Sequence, residues 1–309
     1  MAWVKRLPLS LDLPLLRRWR RQSSAPRPRG VAAGLGTGAA FGYNRRVALQ
    51  ILLTNDDGID AAGIAVMRRA LDGLGEVTTI APESDNSGVA RGITTTRPLS
   101  LRRRVFGDGY EGMACDGTPS DCARIALLGL RCPVPDLVVS GVNAGGNMGA
   151  DVTYSGTVGA AFEAALRGRP AIAFSIAELE PRWLDETEPV LRALTGHVIE
   201  RGLPRHTVLN VNLPDRPPDA VTGVRAARLG GASAYDYVLL AEDAAGPAGE
   251  HYLPCEHPAP EEWAESDFEV VASGAVAVTP LRYGLHGFVD TGALADVAAW
   301  DLDLGRLLV

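Results

Sequence analysis

The 309 residues carry 30 Lys+Arg against 37 Asp+Glu, with 46% hydrophobic and 22% charged side chains, a composition that buries a sizeable core and excludes a disordered chain. No apolar run approaches the roughly 20 residues needed to cross a bilayer, so a membrane span is excluded. Residues 1–46 hold ten basic residues and one acid (Asp12), which leaves 20 basic and 36 acidic residues, a balance of −16, for residues 47–309. An acidic folded part disfavours a nucleic-acid polymer as partner.

Lys5 is the one lysine. A Walker A loop, a pyridoxal Schiff base and the lysine that haloacid-dehalogenase-type phosphatases place beside their nucleophilic Asp therefore cannot be built in the core. Cys115, Cys122, Cys132 and Cys255 show no C-x-x-C spacing and read as reduced thiols of a cytoplasmic protein. Residues 1–46 read as a poorly ordered basic leader, because Asp12 and Pro14 interrupt the apolar stretch that a secretory signal requires. Within it, Gly34-Leu-Gly36-Thr-Gly38 imitates a dinucleotide loop, but no strand precedes it to frame the turn.

From residue 47 onward, short β-branched or Leu-rich runs alternate with helical periodicity, which predicts an α/β fold with a parallel sheet covered by helices. Residues 48–54 read as a buried strand. Asp60 is placed to cap a helix in which Ile64, Met67, Leu71 and Leu74 recur at helical spacing, with Gly75 as its end. A second strand at 76–81 leads to a polar loop and a Thr/Arg segment (94–104). A helix after Thr118-Pro119, a strand at 136–140, a small-residue helix at 156–167 and a strand at 171–175 follow. A helix at 188–201, a strand at 207–212, an irregular Gly/Pro-rich region to about residue 265, a strand at 275–279 and a last helix at 294–300 complete the chain. The predicted organisation is a leader (1–46), a catalytic core (47–221) and a C-terminal extension (222–309) that completes the same fold. The extension's apolar segments (237–240, 275–281 and 294–300) are too dispersed for a separate core and need another surface.

The chemistry gathers at strand ends. Asn55-Asp56-Asp57-Gly58 follows the first apolar run, at the sheet edge where open α/β folds bind their ligands. Adjacent acids repel unless a cation neutralises them, so a divalent ion is the simplest explanation; an Asp-Asp-Gly turn with one side chain capping the next helix is the alternative. The loop Ala81-Pro-Glu-Ser-Asp-Asn-Ser87-Gly88 leaves the second strand at the same edge. The loop Gly141-Val-Asn143-Ala-Gly145-Gly146-Asn147-Met-Gly149 leaves the strand at 136–140, with Asn143 just behind the strand end. Carboxylates, a Ser hydroxyl and an Asn carbonyl are oxygen ligands that suit Mg²⁺, Mn²⁺ or Ca²⁺. Tyr154-Ser155-Gly156-Thr157 then opens a helix, where hydroxyls and free N–H groups make an anion site; an ordinary Ser cap is the alternative.

Ile51-Leu-Leu-Thr-Asn-Asp-Asp-Gly58, Ala81-Pro82 with Asn86-Ser87-Gly88, Gly117-Thr-Pro-Ser-Asp-Cys122, Asp136-Leu-Val-Val-Ser-Gly-Val-Asn143-Ala-Gly145 and Tyr154-Ser-Gly-Thr157 resemble, in order and spacing, the SurE survival-protein family. The resemblance continues through Leu209-Asn-Val-Asn-Leu-Pro214, Arg228-Leu-Gly230 and Asp267-Phe-Glu-Val-Val-Ala-Ser-Gly274 to Val278-Thr-Pro-Leu281. It implies a Rossmann-like, mostly parallel sheet whose C-terminal extension reaches neighbouring subunits in a homodimer or homotetramer. It also implies a divalent-metal-dependent phosphatase acting on nucleoside 5′- and often 3′-monophosphates, with some members cutting short polyphosphate. By the same resemblance one cation per subunit, Mg²⁺, Mn²⁺ or similar, rests on Asp56, Asp57, Ser87 and Asn143. Asp56 or an activated water then serves the displacement, and Asn143, Gly145, Ser155, Gly156 and Thr157 hold the phosphate. The chain departs from the family in its leader, in Ala275 where Tyr is common, and in the short stretch 244–250. Two rivals stand beside this reading: a silent nucleotide-binding module, and a dehalogenase-like phosphatase, which wants Asp-x-Asp where Asn55 and Asp57 stand.

Overall fold

The computed structural model describes residues 48–231, the backbone of 235–239 and 252–256, and residues 265–282. In chain order the elements are β1 (Gln50–Thr54), α1 (Ala62–Leu71), β2 (Glu76–Pro82), β3 (Leu101–Val105), β4 (Glu111–Cys115), α2 (Pro119–Leu127), β5 (Leu137–Ala144) and α3 (Gly156–Leu166). They continue with β6 (Ala171–Ile176), α4 (Glu188–Arg201), β7 (Thr207–Leu213), β8 (Val224–Ala226), β9 (Tyr235–Leu239), β10 (Tyr252–Glu256), α5 (Asp267–Ala272) and β11 (Val276–Arg282). Nine strands form one sheet in the order β3-β4-β2-β1-β5-β6-β7-β11-β8, and β9 and β10 pair separately. From β4 to β7 every neighbour is parallel, while β3 and β11 run antiparallel to β4 and β7.

The central strands are apolar without a break because both faces are covered. Ile51 and Leu53 of β1 join Leu137, Val139 and Phe174 in a core completed by Ile64, Met67 and Leu71 of α1 and Leu191 of α4. Leu52, one residue out of phase, belongs with Val138 and Ala173 to a second core under α2 and α3, built from small residues such as Ala123, Ala126, Ala161 and Ala164. Small side chains let α2 and α3 lie close together. Thr118 caps α2 through a reciprocal capping box with Asp121. Cys115, Cys122 and Cys132 carry free thiols. No helix among the described residues is long and apolar enough to cross a membrane.

Four expectations need correction. Asp60 does not cap α1; Ala61 takes that place without a side-chain bond, and Asp60 pairs with Arg104 at 2.7 Å. The helix ends at Leu71 rather than at Gly75, since the chain turns at Asp72 and at Gly73 (φ +70°). The Thr/Arg segment runs into the edge strand β3, whose Arg102, Arg103 and Arg104 face solvent and pair with Glu83, Glu111 and Asp60. Three consecutive arginines hid it from a hydrophobicity pattern, yet charge is how an edge strand avoids pairing with other chains. The segment 275–281, expected to need another surface, lies in its own chain's sheet: β11 pairs with β7, and Ala275, Val276 and Ala277 are buried. The helix expected at 294–300 lies outside the described residues, while α5 arises in a region read as irregular up to 265 and unassigned beyond it.

Candidate active site

β1 has β2 on one side and β5 on the other, so three carboxyl-terminal strand ends open into one crevice. Asp56, just beyond β1, is 3% exposed. The Thr157 hydroxyl donates to its Oδ1, and the Thr157 backbone N–H also stabilises the carboxylate. A Cβ on Gly156 would stand 2.8 Å from the Asp56 Cβ and 2.9 Å from its Oδ2, so glycine is required for this approach. The start of α3, expected to face phosphate through Gly156 and Thr157, therefore receives the Asp56 carboxylate. Burial pushes the Asp56 pKa up against the opposing Thr157 bonds.

Asp57 accepts from the backbone N–H of Ala144 at 3.2 Å. Burial and then the charge of Asp56 push its pKa up to about 7. Neither carboxylate has an ion pair among the described residues, and Asp85 adds repulsion to both. Two desolvated, mutually repelling acids without a counter-charge are what a bound cation would relieve. Among the described residues no three His, Cys, Asp or Glu side chains converge. The expected set, Asp56, Asp57, Ser87 and Asn143, draws on three segments at the same sheet edge, and two carboxylates, a hydroxyl and an amide oxygen are hard donors of the kind that suit Mg²⁺ or Mn²⁺.

The loop after β2 is fastened to this centre by its backbone: Asn86 N–H donates to the Asp56 carbonyl at 2.8 Å. Ser87 is exposed, and both its N–H (2.8 Å) and its hydroxyl (2.6 Å) donate to Asp85 Oδ1. Farther along, Arg91 reaches the buried Glu163 of α3 at 2.6 Å, and Ala90 lies so close to Gly159 that a Cβ there would come within 2.5 Å of the Ala90 carbonyl. Asn143 is on β5 rather than behind it, because pairing with β6 resumes after a register shift at Asn143↔Ser175. Its Nδ2 donates to the Gly145 carbonyl at 2.6 Å, which leaves the amide oxygen as the group available to a cation. Ser155 does cap α3, accepting from Val158 N–H at 3.1 Å, so the plain cap reading holds; its hydroxyl proton can still be donated.

Residue-by-residue reading missed Asp85 and a buried amide network. Asn147 N–H donates to Asn212 Oδ1 (2.8 Å), Asn147 Nδ2 donates to Ser175 Oγ (2.7 Å), and the Asn147 carbonyl accepts from Asn210 (2.8 Å) and Asn212 (3.0 Å). Asp267 of α5 holds the next turn, accepting from the backbone N–H groups of Gly149 and Gly230 at 2.9 Å each. The signal was present: Asn210 and Asn212 alternate on one face of a strand whose pattern otherwise demands apolar side chains. Asn212→Ala leaves the Asn147 N–H buried without a partner, which costs about 2 kcal/mol. We expect a melting temperature lower by about three degrees in calorimetry.

The sequence profile of the family described as survival protein SurE matches residues 51–236. The 5′-nucleotidase SurE of Alkalilimnicola ehrlichii is 42% identical over 260 residues, covering 84% of this chain and 97% of that protein. The 5′-nucleotidase SurE of Rubrobacter xylanophilus is 40% identical over 270 residues, covering 84% and 100%. The crystal structure of the SurE protein from Aquifex aeolicus superposes with a TM-score of 0.68 at 34% identity, over 81% of this chain and 99% of that one.

Proposed function

Because the chain belongs to the survival protein SurE family, we propose that it is a divalent-metal-dependent nucleotidase that hydrolyses nucleoside 5′-monophosphates to nucleoside and phosphate. Nucleoside 3′-monophosphates and short polyphosphate belong to the same proposal, as do a cytoplasmic location and a homodimer or homotetramer. The observation that carries it is the pair of adjacent buried carboxylates, Asp56 and Asp57, at the carboxyl end of β1 with no ion pair among the described residues, both raised in pKa by burial.

Asp56, Asp57, Ser87 and Asn143 are the residues that would hold the ion. When bound, it supplies Lewis-acid stabilisation of charge on the phosphoryl oxygens. The chain's own groups do the rest. Thr157 fixes the Asp56 carboxylate in one orientation, which suits it to be the catalytic acid or base. Of the residues expected around the phosphate, the Ser155 O–H and the Gly156 N–H at the start of α3 are the donors offered where charge develops, since Asp56 takes the Thr157 O–H and N–H, the Ile176 carbonyl takes the Gly145 N–H and the Gly145 carbonyl takes an Asn143 Nδ2 proton. The amide network behind Asn147 keeps the glycine-rich loop rigid, so those donors need little reorganisation.

The test is phosphate release from AMP or GMP with Mn²⁺ or Mg²⁺. Release is expected with either ion, is lost in a chelator and returns when the ion is restored. Binding of AMP and GMP without release under all metals would identify a silent nucleotide-binding module instead.

A further inference from the structure

Beside Asp57 the crevice deepens into a pocket of 540 Å³ between the start of α1, β5 and the segment that follows β6. The volume lies in the range of small-molecule sites. Its walls combine apolar groups, Val142, Leu179, Pro181 and Leu184, with the carboxylates of Asp57, Asp85 and Glu180, and among the described residues no Lys, Arg or His lines it. Phosphate belongs at the ion that Asp56 and Asp57 would hold and at the start of α3, and the carboxylates of Asp85 and Glu180 repel an anion from the remainder of this space. What fits is a neutral moiety with a flat apolar face and N–H groups at its edge.

Leu179 marks where that moiety meets the phosphate site. The residue is 62% exposed although apolar, and its Cδ2 would stand 3.1 Å from a Cβ on Gly145. A large apolar side chain left in water at the mouth of a polar site is covered when a ring lies upon it. Glu180, the next residue, is exposed and carries a carboxylate, which only accepts hydrogen bonds when ionised. Among the common bases, guanine presents a ring N–H and an exocyclic amino group side by side, which matches the two oxygens of one carboxylate. Hypoxanthine has the same ring without the amino group.

We propose that this pocket receives the base of the nucleotide, with Leu179 as its apolar platform and Glu180 as the residue that selects an amino-bearing purine, guanine above hypoxanthine. The inference rests on the nucleotidase reading, but binding judges it separately from turnover.

The experiment compares GMP with IMP, using ribose 5-phosphate as a base-free reference, on the metal-loaded protein. Turnover is followed by phosphate release and binding by calorimetry. The wild type is expected to favour GMP over IMP by about fivefold in kcat/KM and in Kd, the effect of one charge-assisted hydrogen bond in a partly exposed place. Glu180→Gln brings that ratio close to one, because the amide offers a single acceptor. Leu179→Ser raises KM for GMP and IMP together by about fivefold while ribose 5-phosphate changes less than twofold. A GMP to IMP ratio of one in the wild type, an unchanged ratio in Glu180→Gln, or unaltered nucleotide KM and Kd in Leu179→Ser would each overturn the assignment. If no phosphate is released from any compound, the nucleotidase reading falls, and the Kd ratios alone decide where the base sits.

Discussion

Asp57→Asn is expected to cut phosphate release by a hundredfold or more while leaving the metal-free protein at least as stable as the wild type. The two halves of this result have one cause. Burial and the neighbouring Asp56 push the Asp57 pKa up to about 7, so in the folded state its charge is held at a disadvantage. A carboxyl whose folded pKa lies above its unfolded value of 3.8 favours the native state when protonated. That contribution is present below about pH 4 and is lost as the pH rises toward 7. Replacing the carboxylate by a neutral amide of the same shape removes the repulsion with Asp56 at pH 8, so melting in a chelator moves up or stays in place. The ion, however, loses half of its formal carboxylate charge, and turnover falls with it by roughly two orders of magnitude. Adding Mn²⁺ at a hundred times its Kd should stabilise the wild type by about 2.7 kcal/mol and the variant far less. Wild-type turnover in Asp57→Asn would remove this residue from the metal site; a large loss of stability in chelator would mean the carboxylate serves the fold.

Gly63→Ala is expected to destabilise the protein by about 3 kcal/mol or more, the upper end of what overpacking costs. For a chain of this size that lowers the melting temperature by about five degrees. Judged as an isolated helix, α1 should gain from the change, because alanine restricts the unfolded chain and suits a helix better than glycine. The tertiary contact reverses the sign. A Cβ at Gly63 would sit 1.9 Å from the carbonyl oxygen of Val142 and 2.9 Å from its carbonyl carbon, and neither is a side chain that could swing aside. The first turn of α1 would have to lift from β5, which displaces Val142 and Ala144 and with Ala144 the N–H that holds Asp57. Turnover should therefore fall further than melting alone explains. A Gly63→Ala protein that melts at or above the wild-type temperature would show that α1 and β5 can separate without harm.

Apart from β3 and β4, the strands and helices from β1 to β7 were legible in the sequence because a doubly covered parallel sheet leaves runs of uninterrupted apolar residues, and helices leave theirs at 3.6-residue spacing. The proposed site was legible for a related reason. Asp56 and Asp57 follow β1, Ser87 lies in the loop after β2 and Asn143 is the penultimate residue of β5, so locating the strands locates these candidates. Features that depend on pairing across the sheet left no such trace. The edge strand β3 reads as a charged coil until β4 is beside it. The strand β11 is legible as a strand, but its place beside β7 of the same chain is not.

The sequence by itself determined the fold class, the strand ends that carry the carboxylates and the family to which they belong. It did so because periodicity and short motifs are local and survive without coordinates. The tertiary structure alone decided that the start of α3 holds Asp56 through Thr157, that Asn143 belongs to a strand, and that Asn147 is clamped by Asn210 and Asn212. Each of these joins residues 63 to 101 positions apart or depends on the register of two strands. Contacts of that kind are fixed by how elements pack, where a hydrogen bond or a single missing Cβ outweighs local preference.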